Sequence, residues 1–314
     1  MKIVFMGTPD FAAGILDALL SAGYEVTGCV TQPDKPKGRK KTPVPCPVKE
    51  AAMAAGIPVL TPARVRKNPE ALAWIREREP DVIVVAAFGQ ILPAELLELP
   101  PLGCLNVHAS LLPAYRGAAP IQHAILDGQE KTGVTIMKMD EGLDTGDMLA
   151  VSEVVISPEE TGGSLFDKLM AEGADLLVRT LPEYAAGKIT PVKQPAESTT
   201  AYAGMLKKED GLIDFSEDAE VILRKVRALS PWPSAYTYLD SKTFKIWQAR
   251  KTDEAPFGPA GTLRAENGEL FVTTGSGVIA LDEVQMEGKK KMKTADFLRG
   301  YRITAEAFGE RNAN

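Results

Sequence analysis

Residues 104–117 read CLNVHASLLPAYRG, an apolar run followed by a polar, proline-containing turn. The first five residues, Cys104 to His108, have the length and composition of a buried strand. Because side chains alternate between the two faces of a strand, Asn106 and His108 are expected on the same face. Pro113 cannot donate a backbone hydrogen bond, so strand pairing is expected to stop before it. Polar side chains at the end of a strand are typical of the catalytic edge of an open α/β sheet.

Two interpretations are open for this polar pair. Histidine is the side chain best suited to move a proton near pH 7, and an asparagine amide can donate to an oxygen that becomes negative during acyl transfer. Together, Asn106 and His108 would hold a carbonyl group and move a proton at the same carbon. The alternative, more common for each residue taken alone, is a hydrogen-bonded core histidine and an asparagine that ends a strand.

A second stretch, residues 133–147, reads GVTIMKMDEGLDTGD. Its apolar part, Val134 to Met139, predicts a strand that enters a glycine-containing turn around Asp144. Glycines on both sides of an acid permit a tight backbone path and a close approach by another group. This turn is either an ordinary surface β-turn or the source of a carboxylate that orients His108 and stabilises its charged form.

Together, these stretches resemble the formyltransferases that use 10-formyltetrahydrofolate. The motif NxHxSLLPxYRG in residues 106–117, followed by GLDTGD in residues 142–147, carries the resemblance. Further similar segments are Met6–Phe11 (MGTPDF), Ala118–Gln122 (AAPIQ) and Ser230–Pro233 (SPWP), so the resemblance extends along essentially the whole chain. The Asn, His and Asp set belongs to the wider folate-dependent superfamily, whereas the flanking segments are closer to the branch that acts on a charged initiator tRNA.

The resemblance implies roles for particular residues. Asn106, His108 and Asp144 would be catalytic, the folate would be a cosubstrate, and no metal would be needed. Two turns would contact the folate, and they comprise Ser110, Leu111, Leu112 and Pro113 in one and Gln90, Ile91 and Leu92 in the other. The second turn follows the apolar run DVIVVAAF of residues 81–88, and an ordinary strand-to-helix turn is the alternative there.

A basic loop follows the second predicted strand, between Gln32 and Pro47. Five prolines keep its backbone extended, and its basic residues surround a glycine: Lys35, Lys37, Arg39, Lys40 and Lys41. Such a charge run is usually a solvated surface segment. The alternative is a finger that binds a phosphate backbone, and the resemblance implies that it enters the acceptor end of a tRNA. Its position beside the expected active-site edge favours the second interpretation.

The composition is that of an ordinary globular protein, with 45% hydrophobic and 25% charged residues. A net charge of -6 gives no global sign of nucleic-acid binding, so RNA would have to bind at local patches. The three cysteines, Cys29, Cys46 and Cys104, lack CxxC spacing, which predicts reduced thiols in the cytoplasm and argues against a structural zinc site. We find neither a signal-peptide pattern nor an apolar run of membrane-spanning length.

The length of 314 residues favours two domains. The sequence opens with a strand over Lys2–Gly7, a helix over Phe11–Ala22 and a strand over Glu25–Thr31, which is a βαβ pattern. Its glycines do not form GxGxxG, so dinucleotide binding is not supported. We expect an α/β, Rossmann-like formyltransferase domain with a mostly parallel sheet over residues 1–188.

The rhythm of the sequence changes after residue 188. Residues 189–206 are rich in Pro, Gln, Ser and Thr, which predicts a linker. A helix and about five short strands follow, which predicts an OB-like β-barrel domain over residues 207–314. Such barrels commonly bind oligonucleotides. A second basic cluster, whose alternative is a solvated turn, comprises Lys289, Lys290, Lys291 and Lys293.

Formyl transfer to the amino group of methionine on initiator tRNA is the reaction that the resemblance implies, in a cytoplasmic and monomeric protein. Enzymes that formylate a nucleotide sugar or glycinamide ribonucleotide share the Asn, His and Asp set, and a hydrolase would pass the formyl group to water. The basic loop and the barrel favour RNA over these acceptors. An RNA-binding protein without catalysis is the remaining alternative, and the intact catalytic set argues against it.

Overall fold

The structure, a computed structural model, describes residues 1–37 and 42–309. The first part of the chain builds an α/β unit. Its elements are β1 (Lys2–Gly7), α1 (Asp10–Ser21), β2 (Glu25–Val30), β3 (Lys35–Lys37), β4 (Thr42–Val44), α2 (Pro47–Ala54), β5 (Val59–Leu60), α3 (Pro69–Arg76), β6 (Val82–Ala86), α4 (Ala94–Leu97), β7 (Cys104–His108), α5 (Pro120–Leu126), β8 (Lys131–Lys138), β9 (Asp147–Val155) and α6 (Gly162–Ala185).

A seven-stranded sheet forms the centre of this unit, in the order β5-β2-β1-β6-β7-β8-β9. The first five strands in this order run parallel, whereas β8 and β9 are antiparallel to their neighbours. β6 and β7 are buried along their whole length, as expected for parallel strands with both faces covered. The mostly parallel, Rossmann-like sheet predicted from the sequence is confirmed.

Gly7, at the end of β1, lets the first helix lie close to the sheet. A Cβ atom at this position would lie 2.5 Å from the Ala12 Cβ and 2.7 Å from the Ala86 carbonyl oxygen. The helix α1 then buries Ile15 and Leu16 completely, and burial of such a side chain stabilises the fold by roughly 1.5–3 kcal/mol. Gly7 therefore serves the packing of β1, α1 and β6.

The described part of the basic loop contains a short antiparallel pair. β3 and β4 pair Lys35 with Val44 and Pro36 with Pro43. The extended backbone predicted from the prolines is present, but the pairing was not predicted. Within the described residues, the pairing continues past the two prolines to Lys37 and Thr42.

An antiparallel sheet forms the core of the second unit. Its elements are a 3₁₀ turn (Lys208–Gly211), α7 (Ala219–Ala228), β10 (Ala235–Leu239), β11 (Lys242–Thr252), β12 (Leu263–Glu266), β13 (Glu269–Thr274), β14 (Gly277–Met286), β15 (Met292–Lys293) and α8 (Thr294–Gly300). The strands lie in the order β10-β11-β14-β13-β12, and β15 pairs with β14.

The last described residues connect the two outer strands of this sheet. The Gly309 N–H donates to the Tyr238 carbonyl of β10 at 3.1 Å, and the Leu263 N–H of β12 donates to the Glu306 carbonyl at 2.8 Å. The sheet encloses a core of aromatic and aliphatic side chains that includes Phe244. This agrees with the predicted β-barrel domain, although β15, α8 and the connecting residues were not predicted.

The chain divides into two compact units, and the predicted domain limits stay a prediction. The first unit comprises Met1–Pro120, Lys131–Val155 and Phe166–Gly204, and the second comprises Ile121–Glu130, Ile156–Leu165 and the chain from Met205 on. Most of the predicted linker, through residue 204, therefore belongs to the first unit. Among the described residues, no helix combines the length and the apolar composition needed to cross a membrane.

Candidate active site

Asn106 and His108 lie on the same face of β7, as strand alternation predicts. The antiparallel neighbour β8 pairs Asn106 with Met137 and His108 with Thr135. Side chains of directly paired residues share a face of the sheet. This face, lined by these four side chains, is the floor of the candidate site.

The turn between β8 and β9 folds back over this face. Because β8 runs opposite to β7, the turn begins beside the first residue of β7, where the Met139 N–H donates to the Cys104 carbonyl at 2.8 Å. The Asp144 carboxylate of this turn nevertheless lies beside His108. The site therefore covers the face of the sheet, rather than only the strand edge that the sequence suggested.

His108 has a defined role for each ring nitrogen. Its Nε2 lies 3.1 Å from the Tyr115 carbonyl oxygen, and a carbonyl can only accept, so Nε2 carries a hydrogen. Its Nδ1 lies 3.8 Å from Asp144 Oδ1, and the two side chains are only 7% and 13% exposed. This separation is within ion-pair range but too long for a hydrogen bond. Nδ1 is therefore the nitrogen that remains available to a reacting group.

Asp144 is held by backbone contacts on its other side. Its Oδ2 accepts from the Gly117 N–H at 2.9 Å. The turn is tight because Gly146 lies against β8: a Cβ atom there would be 1.9 Å from the Lys138 carbonyl oxygen. The close approach predicted from the glycines around Asp144 is present, and the carboxylate has one oxygen fixed and the other directed at His108.

Asn106 and Cys104 lie on the same strand but differ in what they offer a substrate. No hydrogen bond within residues 1–37 and 42–309 involves the Asn106 side chain, so its amide can donate to a ligand. Burial raises the pKa of the Cys104 thiol to about 12, and its Sγ donates to the Leu96 carbonyl at 3.4 Å. Cys104 is therefore protonated at neutral pH and unsuited to act as a nucleophile.

The first predicted folate turn is fixed to the site floor. Thr135 Oγ1 donates to the Ser110 carbonyl at 2.7 Å and accepts from the Leu112 N–H at 3.1 Å. The Ser110 hydroxyl donates to the Ala114 carbonyl at 2.6 Å, and Ser110 is fully buried. Leu112 is also buried, whereas Leu111 and Pro113 are half-buried. Their folate contacts stay a prediction, and the Ser110 hydroxyl is occupied within the fold.

The second predicted folate turn borders a cavity of about 380 Å³, with Gln90 and Ile91 in its wall together with Gln32, Pro33, Ala63, Arg64, Arg66 and Gly89. The Gln90 amide accepts from the Val65 N–H at 2.8 Å. Ile91 is 64% exposed, whereas Leu92 is buried. This volume is in the range of small-molecule sites, so the predicted contact with a folate stays open at this turn.

The predicted tRNA-binding residues are only partly described. Lys35 is exposed and Lys37 ends β3, while Arg39, Lys40 and Lys41 lie outside the described residues. An ion pair of 2.7 Å between Asp34 and Lys49 lies at the base of this loop. Within the described ranges, no three His, Cys, Asp or Glu side chains are grouped so that they could hold a metal ion.

Sequence reasoning missed the residues that fasten the site. Thr135 lies on the site floor, and three polar side chains of residues 194–200 bond to the turn after β7. Arg116 belongs to the quoted motif but was given no role. The signal for Arg116 is its charge, because an arginine is rarely buried unless its donors are satisfied.

Two matches identify the family. Residues 1–181 match the family Formyl transferase, and residues 205–302 match the family Formyl transferase, C-terminal domain. The chain therefore belongs to the formyl transferase family.

Relatives that align along nearly the whole chain indicate which kind of formyl transferase this chain resembles. The chain is 52% identical over 306 residues to a methionyl-tRNA formyltransferase of Bacillus licheniformis, covering 97% of this chain and 96% of the relative. It is 50% identical over 309 residues to the protein of the same name from Agathobacter rectalis, covering 98% and 99%.

Solved structures share the fold at much lower identity. An N-formyltransferase from Helicobacter canadensis, in complex with folinic acid and dTDP-3-aminofucose, has a TM-score of 0.65 at 18% identity, covering 91% of this chain and 99% of that chain. HypX from Aquifex aeolicus, in complex with tetrahydrofolic acid, has a TM-score of 0.64 at 18% identity and covers 95% of this chain. This chain spans about half of HypX, namely 47%.

Proposed function

We infer that this protein transfers the formyl group of 10-formyltetrahydrofolate to the amino group of methionine on initiator tRNA. The observation that carries this inference is the near full-length identity, about half of all positions, to several proteins named methionyl-tRNA formyltransferase. The arrangement of Asn106, His108 and Asp144 on one face of the sheet supports it, since these groups suit acyl transfer.

In this reaction the methionine nitrogen attacks the formyl carbon, and the bond between that carbon and N10 of the folate breaks. The amine loses one proton and N10 gains one, so no net proton is consumed. The Asn106 amide would donate to the formyl oxygen as it becomes negative, and a proton on His108 Nδ1 would do the same. Asp144 would hold the imidazole in place and balance its charge. A bound water or one of these groups would accept the amine proton.

The residues beside the second predicted folate turn fit such a cosubstrate. A folate carries an aromatic ring system and a glutamate tail, and the cavity at Gln90 and Ile91 has two arginines in its wall, Arg64 and Arg66. Guanidinium groups suit carboxylates because of their paired donors. The binding of 10-formyltetrahydrofolate by this chain would therefore use the turn after β6 and the turn after β7.

The tRNA would be bound by basic residues outside the catalytic face. We propose that Lys35, Lys37, Arg39, Lys40 and Lys41 contact its phosphates. A tRNA substrate implies action in the cytoplasm. We further propose a monomer whose catalytic domain comprises residues 1–188 and whose barrel comprises residues 207–314.

The test is formylation of methionyl initiator tRNA by the purified full chain in the presence of 10-formyltetrahydrofolate. We expect formylmethionine after the ester is hydrolysed. Parallel reactions offer an amino sugar linked to a nucleotide, glycinamide ribonucleotide, or water alone. Preference for the sugar or the ribonucleotide would overturn the proposed acceptor, and formate release without an acceptor would identify a hydrolase.

A further inference from the structure

Arg116 and Gln194 form a buried polar pair beside the catalytic turn. They are 8% and 5% exposed, respectively. Arg116 donates through Nε and Nη2 to Gln194 Oε1, at 3.2 and 2.9 Å, and also to the carbonyls of Pro195 (2.8 Å) and Ala196 (3.1 Å). These acceptors are uncharged, and burying a charge is unfavourable unless its donors are satisfied. The arrangement therefore fixes the Gln194 amide in one orientation, with its oxygen towards Arg116.

The Gln194 nitrogen consequently faces the turn that carries Asp144. Its Nε2 donates to the Asp144 carbonyl at 3.0 Å and to the Gly146 carbonyl at 2.7 Å. One side chain thus donates to two backbone carbonyls of this turn, one on either side of Thr145. A reversed amide would place an oxygen against these carbonyls, so the Arg116 contact determines whether the turn is held.

The Asp144 backbone needs such support because its conformation is unusual. Its φ is +55°, in the left-handed region that few residues other than glycine occupy, although aspartate and asparagine do so more often than most. Backbone conformations of this kind cost of order 1–3 kcal/mol and persist when surrounding contacts enforce them. Gln194 donates to the carbonyl of Asp144 itself, the residue that has the positive φ.

We propose that Arg116 and Gln194 are positioning residues that hold the Asp144 carboxylate at His108. This inference rests on the proposed function, since it assigns them to the catalytic role of Asp144. Gly117 fixes one carboxylate oxygen through its N–H, whereas the Arg116 and Gln194 pair fixes the backbone from which the carboxylate extends. Neither side chain would touch the substrate.

A purely structural role would give a different result from a positioning role. Loss of packing would lower stability and affect every ligand of the first unit. Loss of positioning would lower kcat while the protein stays folded and KM changes little, because the affected contact matters only during the reaction. A misplacement of about 1 Å at a reacting group lowers the rate by as much as about 100-fold.

The variant Gln194→Glu separates these two roles. A glutamate keeps the shape and the contact with Arg116, now as a charge-assisted pair, but it has no N–H for the Asp144 and Gly146 carbonyls. We expect kcat to fall by about 10- to 100-fold. The melting temperature should fall as well, because two buried carbonyls lose their donor, so kinetics are measured at a temperature where thermal unfolding shows the variant folded. Gln194→Met, which is uncharged and of similar length, provides a second folded variant. Lys193→Ala, at an exposed neighbouring position, is the matched control.

A double-mutant cycle with Asp144→Asn tests whether the effect passes through Asp144. We expect Gln194→Glu to add less than about a threefold loss in that background, because coupled residues are not additive. The same loss in both backgrounds, or a loss confined to KM, would overturn the proposal. An Asp144→Asn variant of full activity would instead refute the catalytic role of Asp144 in the proposed function.

The histidine ring signals give a readout that does not depend on activity. The chain has two histidines, so a ring nitrogen spectrum contains two sets of signals, which His123→Gln would assign. We expect Gln194→Glu and Gln194→Met to move the His108 signals in the direction that Asp144→Asn moves them, and Lys193→Ala to leave them in place. Unchanged His108 signals in both folded Gln194 variants would overturn the proposal.

Discussion

Residues 109–117 and residues 190–203 are both irregular, both lie in the first unit and contact each other, yet they differ in what they contribute. The first segment follows a strand and belongs to a recognisable motif, and its Gly117 N–H binds the Asp144 carboxylate. The second follows a long helix and reads as a linker. It supplies the hydroxyls and the amide that hold the first segment, for example Ser198, whose Oγ donates to the Pro113 carbonyl at 2.6 Å.

The difference teaches which part of a site can be seen in a sequence. A side chain that does chemistry must be of one type, so the three proposed catalytic residues, Asn106, His108 and Asp144, stand out by their identity. A side chain that fastens a backbone bonds to carbonyl and N–H groups, which every segment possesses. Gln194 and Thr200 bond to such backbone groups, so no particular residue type elsewhere in the sequence reveals their partners.

Substitutions in the proposed catalytic residues and in the segment that holds the turn test this difference. We expect the largest loss of activity for Asp144→Asn. The amide is nearly isosteric, so packing is kept, but it cannot supply the negative charge beside His108. Loss of such a carboxylate lowers kcat by up to about 10,000-fold in a comparable arrangement, and we expect about 1,000-fold or more here. Steady-state kinetics and thermal unfolding measure the two effects.

Glu141→Gln is the control for this substitution, since Glu141 is exposed in the same turn. It should keep parent activity. A normal melting temperature with full activity in Asp144→Asn would remove Asp144 from the mechanism and leave the turn as a structural feature.

Asn106→Asp should have the next largest effect. The substitution keeps the shape but replaces an N–H donor by an oxygen, which would repel the developing negative charge. Removal of one such donor lowers kcat by about 100- to 1,000-fold. Kinetics at saturating folate and tRNA would measure this loss, and the folate dissociation constant should change far less. Equal losses in folate binding and in kcat would instead make Asn106 a residue of ground-state binding.

Much of the fold was accessible from the sequence because its signals are local. β7 begins and ends at the predicted residues, Cys104 and His108. The helix predicted to precede the short strands is α7, which begins after Asp218, whose side chain accepts from the Glu220 N–H at 2.9 Å. Apolar runs and capping residues specify such elements directly. The closing contacts of the barrel at residues 306–309 were missed, since they involve backbone groups in a stretch without strand pattern.

The place of the site was only partly accessible for a related reason. Alternation put Asn106 and His108 on one face, which the register confirms. The sequence does not say that β8 runs antiparallel to β7, and this direction decides where the Asp144 turn begins. The expectation that the site lies at the strand edge holds for a sheet of parallel strands. It describes this site only in part, because β7 has an antiparallel neighbour on one side.

The basic loop adds a third segment to the comparison. We expect it neither to take part in catalysis nor to hold the turn after β7 in place. Replacing Arg39, Lys40 and Lys41 by Ala should reduce kcat/KM for charged tRNA by about tenfold at low salt and flatten its salt dependence. Each lost phosphate contact lowers the slope of the logarithmic salt plot by about 0.7 to 0.9. Folate affinity should hardly change, since the proposed folate contacts lie elsewhere.

The second basic cluster provides the comparison variant for this loop. Lys289→Ala with Lys290→Ala changes two exposed lysines of the other unit. The loop variant could keep the parent kcat/KM for tRNA and its salt slope while the cluster variant shows a lower kcat/KM and a flatter slope. RNA recognition would then belong to the second unit, and the loop would be a solvated segment.

The smallest effect is expected for Thr200→Val, which removes one fastening hydroxyl from the second segment. Thr200 Oγ1 accepts from the Tyr115 N–H at 2.7 Å, and Tyr115 is 5% exposed. Valine keeps the shape, but the buried N–H loses this acceptor, which costs about 1–3 kcal/mol of unfolding free energy. The Tyr115 carbonyl that binds His108 lies on the same residue, so a shift of the turn would also lower kcat, by less than about tenfold. Urea unfolding and kinetics measure both effects, and Thr199→Val, at the exposed neighbouring position, is the matched control. Equal stability of the two variants would show that residues 190–203 do not fasten the turn through Thr200, and the contrast between the two segments would then rest on Gln194 and Ser198.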